Sequence, residues 1–498
     1  MISPKSILLI TVDCLRADHV GFLGYPRPTT PFLDSLRAES AVFENAIVAG
    51  VPTYYSFPAI LASRYPLALG RDVLGLAPGE PTLASSLKDS GYATAAFTAA
   101  NPYLSARFGY DQGFDVFRDF LDEPVRPYSF GPTSGSRMRT RVNQVLQDAC
   151  SVLPPAKALY NELYFQYCQR WASPPASSLD ALRRFPAADV LVNQARSWLA
   201  SIGEQPFFLW LHFMDPHSPY YPALPALDLM GDHMSPERAR YLNSFWLRSD
   251  LSSSGLRRHL REITVLYDAG VRWVDTQVGL LAGDLRKAGR WDDCVFAFTA
   301  DHGEEFLDHG GRYHPPNRLS EELLHVPVLL RAPGLPLKAL SRNPFSLIHL
   351  APTLLESAGQ TVPSAFRGRS HWSQLQHGGD RSDFAIAESI AGCTNPFRPE
   401  NRFGPRVLVV RDRRYKLCLT LSSPLTMELF DLDADPAEGS PLPSSQAPEH
   451  RRRLLELALA HLDQSRSERD ARCRITAQLH EFQLEWANPE PTLQTSGL

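Results

Sequence analysis

Nowhere in the 498 residues does an apolar stretch approach the ~20 residues that a membrane-spanning helix requires. The first apolar run, Ile7 to Ile10, leads almost at once to an acidic residue and is too short for the core of a secretory signal. Cysteines are few and scattered (Cys14, Cys150, Cys168, Cys294, Cys393, Cys418, Cys473), odd in number and without a CxxC pair. That excludes a disulfide framework and a zinc ribbon, and it fits a reducing compartment. An excess of one charge is also missing. Fifty Lys and Arg stand against 54 Asp and Glu, a net charge of −4, so there is no general electrostatic case for nucleic acid or an anionic membrane. These absences predict a soluble, cytoplasmic protein with no membrane span and no nucleic-acid partner.

What is present points to a large folded unit. Hydrophobic residues make up 44% and charged residues 21%, enough for a substantial core and against wholesale disorder. Prolines (42) outnumber glycines (30), which implies many fixed turns. Domains of ~150 residues would make this two to four domains, or one large α/β domain with additions.

Several short, β-rich apolar runs end in a polar residue that could do chemistry. Ser6–Val12 leads to Asp13, Phe207–Phe213 leads to Asp215 and His217, and Val295–Thr299 leads to Asp301 and His302. Such runs, separated by helical patterns, read as buried parallel strands. The clearest helix precedes the third run. Tyr267, Val271, Val274, Val278, Leu281 and Leu285 alternate steps of three and four, and Gly289 marks its stop. A further helix over Leu83–Lys88, ending near Ser90-Gly91, is followed by a β-like Ala93–Phe97. Strand–helix alternation predicts an α/β class fold, a three-layer α/β/α sandwich around a mostly parallel central sheet. The proline-rich stretch from about 120 to 200 reads as an insertion with some helices. A break near Gln374–Ser382 then separates a catalytic domain, 1–375, from a smaller C-terminal subdomain, 376–498. In the latter, Val407–Val410, Tyr415–Thr420 and Met427–Leu432 read as antiparallel strands. An amphipathic helix follows with Leu454, Leu455, Ala458, Leu459 and Leu462 on one face, and the last ten residues read as frayed.

In open α/β sheets ligands bind beyond the carboxyl ends of strands. Two carboxylates and an imidazole converging there, Asp13, Asp301 and His302, suit a hard divalent ion such as Mn²⁺, Mg²⁺ or Ca²⁺, with Zn²⁺ a further option. Taken singly, each Asp is as well explained as a helix cap or turn residue. The segment Gly50-Val51-Pro52-Thr53-Tyr54-Tyr55-Ser56-Phe57-Pro58 offers two hydroxyls, Thr53 and Ser56, just before a helix-like stretch whose free N–H groups would favour an anion.

These residues carry a resemblance. The opening TVDCLRADHVGFLGYPRPTTPFLDSLRAES and the later TADHGEEFLDHG are similar to the metal-binding blocks of the sulfatase family within the alkaline phosphatase superfamily. FFLWLHFMDPHSPYYP, EELLHVPVLLRAPG, LAPTLLESAG and RRYKL…ELFDLDADPAE follow in the family's order, so the resemblance spans nearly all of the chain except the insertion. It departs where the family carries C-x-P-S-R, whose Cys or Ser becomes formylglycine. Counting back from Arg64-Tyr65-Pro66, that position is Thr53, and Phe57 stands in place of the Arg. Threonine is a secondary alcohol and cannot yield the aldehyde. It is, however, the nucleophile in related nucleotide phosphodiesterases, phosphoethanolamine transferases and lipoteichoic acid synthases.

The resemblance implies one divalent ion on Asp13, Asp301 and His302, with Thr53 attacking the ester in line to give a covalent threonine ester. It implies His217 as the proton donor to the leaving alkoxide, and Asn101, His314 and, more weakly, His309 as contacts to anionic oxygens. The Asp that often follows the first metal ligand is Cys14 here, which reads as a buried filler. The family's Lys-x-His falls on Ala99 and Asn101. Three readings follow. The first is a hydrolase, or a soluble transferase, acting on a phosphate, phosphonate or sulfate ester of a small molecule or soluble glycoconjugate. The second is a strict sulfuric ester hydrolase working without formylglycine. The third is a catalytically impaired binding or assembly protein that keeps the fold. A two-ion variant with Asp215, His217 and His314 as the second set is a further option. Oligomeric state is not encoded in any of these features.

Overall fold

A computed structural model describes residues 5–122, 148–150, 153–172, 177–336, 340–378 and 383–487. Its strands are β1 (Ser6–Val12), β2 (Ala41–Ile47), β3 (Ala93–Thr98), β4 (Val116–Arg118), β5 (Phe207–Phe213), β6 (Cys294–Ala300), β7 (Glu305–Phe306), β8 (Arg312–Tyr313), β9 (His325–Arg331), β10 (Leu340–Ser341), β11 (Phe345–Ser346), β12 (Ala385–Ile390), β13 (Arg406–Arg411), β14 (Tyr415–Leu421) and β15 (Thr426–Asp431). Nine of them form one sheet in the order β10-β2-β9-β6-β1-β5-β3-β4, with β11 also on β2. All pairings are parallel except those of β9, which runs against both β2 and β6. The central strands β1, β3, β5 and β6 are buried almost throughout. A strand covered on both faces carries β-branched and aromatic residues without alternation, and SILLITV and FFLWLHF have that character.

Helices cover both faces. On one lie α1 (Thr53–Ala62), α2 (Leu83–Asp89) and the helix Leu350–Ser357, which pack on one another. On the other, α3 (Ala188–Ser201) packs on α4 (Leu260–Lys287). In α4 the predicted stripe Tyr267, Val271, Val274, Val278, Leu281 and Leu285 is buried, and Gly289 closes the helix at a φ of 69° that favours glycine. The three layers are those predicted.

A second sheet, β12-β13-β14-β15, is antiparallel throughout. Leu454 and Ala458 of α5 (Pro448–Ala487) join Leu408, Val410, Leu417 and Leu429 of this sheet in a core of their own. Of the inserted segment, residues 123–147, 151–152 and 173–176 lie outside the described residues, as do the last ten of the chain. Its described part includes the helix Pro154–Tyr167 and α3.

Candidate active site

β1 lies between β5 and β6, parallel to both, so three carboxyl ends meet at one edge of the sheet. The register pairs Val12 with Ala300 and with Phe213, which brings out Asp13 and Asp301 as neighbours immediately past their strands. Thr53 begins α1, and Asn101 follows β3, the neighbour of β5 on the other side. Strand order and the start of α1 together gather Asp13, Asp301, Asn101 and Thr53 from four distant places in the chain.

Asp13, Asp301, His302 and Thr53 are all buried, Thr53 being 4% exposed. Thr53 Oγ1 stands 3.5 Å from Asp13 Oδ2 and 3.3 Å from His302 Nε2. Asp301 Oδ1 accepts from the backbone N–H of Cys14 at 3.3 Å and of His302 at 2.9 Å. Its Oδ2 is buried and accepts no hydrogen bond among the described residues. Burial and the neighbouring Asp13 push the Asp301 pKa up. Burial acts on Asp13 too, but the His212 hydrogen bond and the nearby His217 and His302 outweigh it and hold that carboxyl well below its usual range. Two carboxylates forced together without enough positive charge form a cation's environment.

The donor set fits a divalent cation. Asp13, Asp301 and His302 each offer a ligand atom, and these lie within 4.8 Å of one another. His302 Nδ1 lies 2.8 Å from the Gly303 carbonyl, which can only accept, so in the neutral ring Nδ1 carries the proton and Nε2 presents a lone pair toward Thr53. The cluster predicted from sequence is thus brought together, with Thr53 beside it.

The remaining predicted residues divide. Asn101 is present, but its Nδ2 donates to Asp13 Oδ2 at 2.8 Å. His217 and His314 stand side by side with ring centres 5.3 Å apart, and His314 lies 4.5 Å from the His302 ring. His309 goes elsewhere, with its Nε2 3.4 Å from Glu322 Oε2, in a group with Glu322 and Glu438. Asp215 turns toward α3, where its Oδ1 accepts from Ala188 N at 3.3 Å, and burial lifts its pKa to about 6. It does not join His217 and His314 in any of the ligand groups.

Two neighbours escape the sequence reading. His212, inside β5, places Nε2 3.4 Å from Asp13 Oδ2 while Nδ1 meets Thr11 Oγ1 at 2.9 Å. Phe57 packs edge-on against its ring at 5.0 Å, where the family motif has an arginine. Glu304, fully buried, holds His314 Nδ1 at 3.1 Å and accepts from the Tyr220 hydroxyl at 3.1 Å. A lone imidazole within a fully buried strand, and a second acid beside the Asp-His pair, were the available signals.

Residues 5–360 match the family model described as Sulfatase, and residues 312–465 match the model for the C-terminal part of N-sulphoglucosamine sulphohydrolase. The chain belongs to the sulfatase family. The multifunctional alkaline phosphatase superfamily protein PehA of Trinickia caryophylli is 25% identical, over 93% of this chain and 96% of that protein. An arylsulfatase of Clostridium perfringens is 25% identical over 73% of this chain and 77% of its own length. The phosphonate monoester hydrolase of Silicibacter pomeroyi shares the fold at a TM-score of 0.61 and 20% identity, covering 93% of this chain and 96% of that one. As a sulfatase-family protein the chain is an ester hydrolase of the alkaline phosphatase superfamily, whose members use a divalent metal ion. Among the described residues no helix is long and apolar enough to cross a membrane.

Proposed function

We propose that this sulfatase-family chain cleaves, or transfers from, a phosphate, phosphonate or sulfate ester by in-line attack of Thr53. The observation that carries the reading is the position of Thr53 Oγ1, 3.3 Å from His302 Nε2 and 3.5 Å from Asp13 Oδ2. Asp13, Asp301 and His302 would hold one divalent cation. Bound there, it supplies Lewis acidity, favouring ionised Thr53 and an ester with its charge partly neutralised. Thr53 Oγ releases its proton to solvent and bonds to phosphorus or sulfur while the bond to the leaving oxygen breaks, that oxygen taking up a proton from His217. Water, or an acceptor alcohol, then takes the group from Thr53 and restores the hydroxyl. His314 and His217 face the same space, so charge on the equatorial and leaving oxygens is met from their side. Asn101, held on Asp13, fixes that carboxylate's orientation.

Room for a leaving group supports a substrate larger than a bare oxyanion, a soluble small molecule or glycoconjugate. A cavity of about 520 Å³ is lined by Ala100, Arg183, Phe185 and Trp273 among others; Ala100 precedes Asn101, and Phe185 lies edge-on to His217 at 5.3 Å. The division of the chain near residue 375 is part of the same proposal, supported by the separate core under β12–β15.

The test is a panel of nitrophenyl sulfate, phosphate monoester, phosphate diester and phosphonate ester, each with Mn²⁺, Ca²⁺ and Zn²⁺, for the native chain and Thr53→Ala. Turnover on at least one ester, lost in the variant, is expected, with the ester's central group found on Thr53 by mass spectrometry after rapid quenching. Turnover that survives Thr53→Ala rejects the nucleophile.

A further inference from the structure

The inserted segment carries large apolar side chains on its outside. Along the helix Pro154–Tyr167 and its continuation Cys168–Ala172, Leu159 and Leu163 are 62% and 61% exposed, Tyr167 is 43% exposed and Trp171 79%. Leu153, just before the helix, is 61% exposed. On a helical wheel Leu159, Leu163, Tyr167, Tyr160 and Tyr164 fall within an arc of about 140°. The tyrosine rings follow one another along it, Tyr160 to Tyr164 at 5.9 Å and Tyr164 to Tyr167 at 6.4 Å between centres. Single exposed leucines are ordinary on a protein surface, whereas a continuous apolar face on one helix marks a binding surface.

The other face holds the helix in this orientation. Phe165 turns inward onto Tyr241 and Phe245 of the helix Pro236–Trp246, at 5.4 and 6.1 Å between ring centres. Arg248 lies over the Phe165 ring at 4.7 Å and pairs with Glu162. Glu162 is the only acid between Leu153 and Ala172, so this pair leaves Lys157 and Arg170, both exposed, as the outward charges. The chain as a whole is slightly acidic, but this face is apolar, aromatic and cationic. That combination decides the occupant. A two-fold pairing with a second copy through this helix would set Lys157 and Arg170 against like charges, with no acid between them. A surface of anionic headgroups meets both cations and takes the leucines into its acyl boundary. Tyrosine and tryptophan suit the same depth, with the ring in the apolar layer and the polar edge in water.

We propose that this helix docks the protein on an anionic lipid surface, lying in the plane of the headgroups with its leucines in the acyl boundary and Lys157 and Arg170 against the phosphates. Such docking needs no membrane span. The helix it rests on leads back to the active site. Asn243 of Pro236–Trp246 accepts from the Tyr220 N–H at 2.7 Å and donates to the Tyr220 carbonyl at 2.9 Å, just past His217. The same segment continues to Ala223 and Pro225 in the wall of the cavity beside His217. The docking face and the cavity wall are thus held to one rigid element, and the protein would work at a membrane surface. The inference is independent of the ester chemistry, because none of the docking residues belongs to the site.

The experiment is cosedimentation of the full chain with vesicles of equal parts phosphatidylcholine and phosphatidylglycerol, beside vesicles of phosphatidylcholine alone. It compares the native chain with the double variants Leu159→Asp/Leu163→Asp and Lys157→Glu/Arg170→Glu. Expected is binding of the native chain to the anionic vesicles, reduced about tenfold or more on neutral vesicles and in each variant. All four positions are exposed, so melting temperatures should match and a loss of binding is not a loss of fold. Tryptophan emission of the native chain should shift to the blue on anionic vesicles, and Trp171→Phe should lose that shift. No binding to anionic vesicles, equal binding to both kinds, or binding unchanged in Leu159→Asp/Leu163→Asp overturns the proposal. A native dimer that this variant converts to monomer, without vesicle binding, overturns it too and assigns the face to a second copy.

Discussion

Two regions of this molecule bury carboxylates completely, and they treat them in opposite ways. In the four-stranded sheet, Glu388 accepts from Leu67 N at 2.8 Å, pairs with Arg406 and lies 3.1 Å from His461. Lys416, also fully buried, sits 2.8 Å from Glu438 and 3.3 Å from Glu321. Each of these buried charges has an opposite within the protein. At the ends of β1 and β6 the acids face one another, Asp301 keeps an oxygen with no donor among the described residues, and the basic partners are histidines. A buried ion pair completed by side chains is a structural device. A buried acid pair left incomplete is completed by a ligand, which makes it a functional one.

The comparison can be broken most forcefully at Thr53. Thr53→Ala removes the attacking oxygen and leaves the surrounding charges intact, so kcat is expected to fall by roughly 10³-fold or more with melting temperature nearly unchanged. Steady-state kinetics beside a calorimetric scan checks both halves. Asp301→Asn should behave likewise, with the bound metal lost as well.

Glu388→Gln inverts this pattern. It strips the acid from His461 and from the guanidinium of Arg406, whose side chain is 14% exposed, at a cost of about 3 kcal/mol in unfolding free energy. Denaturant titration should record that loss, while kcat, measured well below the transition, should hold within about twofold. A large fall in kcat would erase the distinction between the two regions.

Acid exposes the same pair without mutation. Arg406 and His461, acting against burial, bring the Glu388 carboxyl down to about 2 from its ordinary 4.5. A depressed acid stabilises the fold above its unfolded pKa, and that contribution fades as pH falls from 4.5 toward 2. Glu321, also held at about 2 by Arg411 and Lys416, adds in the same window. Melting temperature should therefore drop steeply below pH 4.5, and Glu388→Gln should flatten the drop.

How much of this was legible beforehand follows from how local each feature is. Strand ends carrying Asp13 and Asp301-His302 are written in single short runs, and the two strands proved adjacent, so the convergence of these acids and the imidazole could be read. Thr53 was placed by counting along a motif, again a local operation. His212 could not be found that way, because its relation to Asp13 depends on β5 lying beside β1 with Thr11 opposite His212. His309 failed for the opposite reason: its sequence neighbourhood is the metal motif, but the turn between β7 and β8 carries it to Glu322. The reversed direction of β9 is likewise a matter of strand pairing that no window of residues contains.

A third kind of buried acid sharpens the contrast with the smallest expected effect. Asp275 of α4 has no ion-pair partner among the described residues; its two oxygens accept from the backbone N–H of Phe32, at 2.9 Å, and of Leu33, at 3.0 Å, at the start of the helix Pro31–Leu36. Burial lifts its pKa to about 7 despite those bonds. A raised acid works with the opposite sign to Glu388: its favourable contribution is complete below the unfolded value of 3.8 and diminishes as pH climbs to about 7. Asp275→Asn keeps one acceptor oxygen for two donors, so at pH 5 it should cost about 1 kcal/mol. Between pH 5 and 8 the native chain alone takes on a buried charge, and the gap in melting temperature between the two proteins should narrow. A gap that stays constant across that interval would mean backbone donors alone suffice to hold a buried carboxylate ionised, and the unmet oxygen of Asp301 would lose its force as a sign of a missing cation.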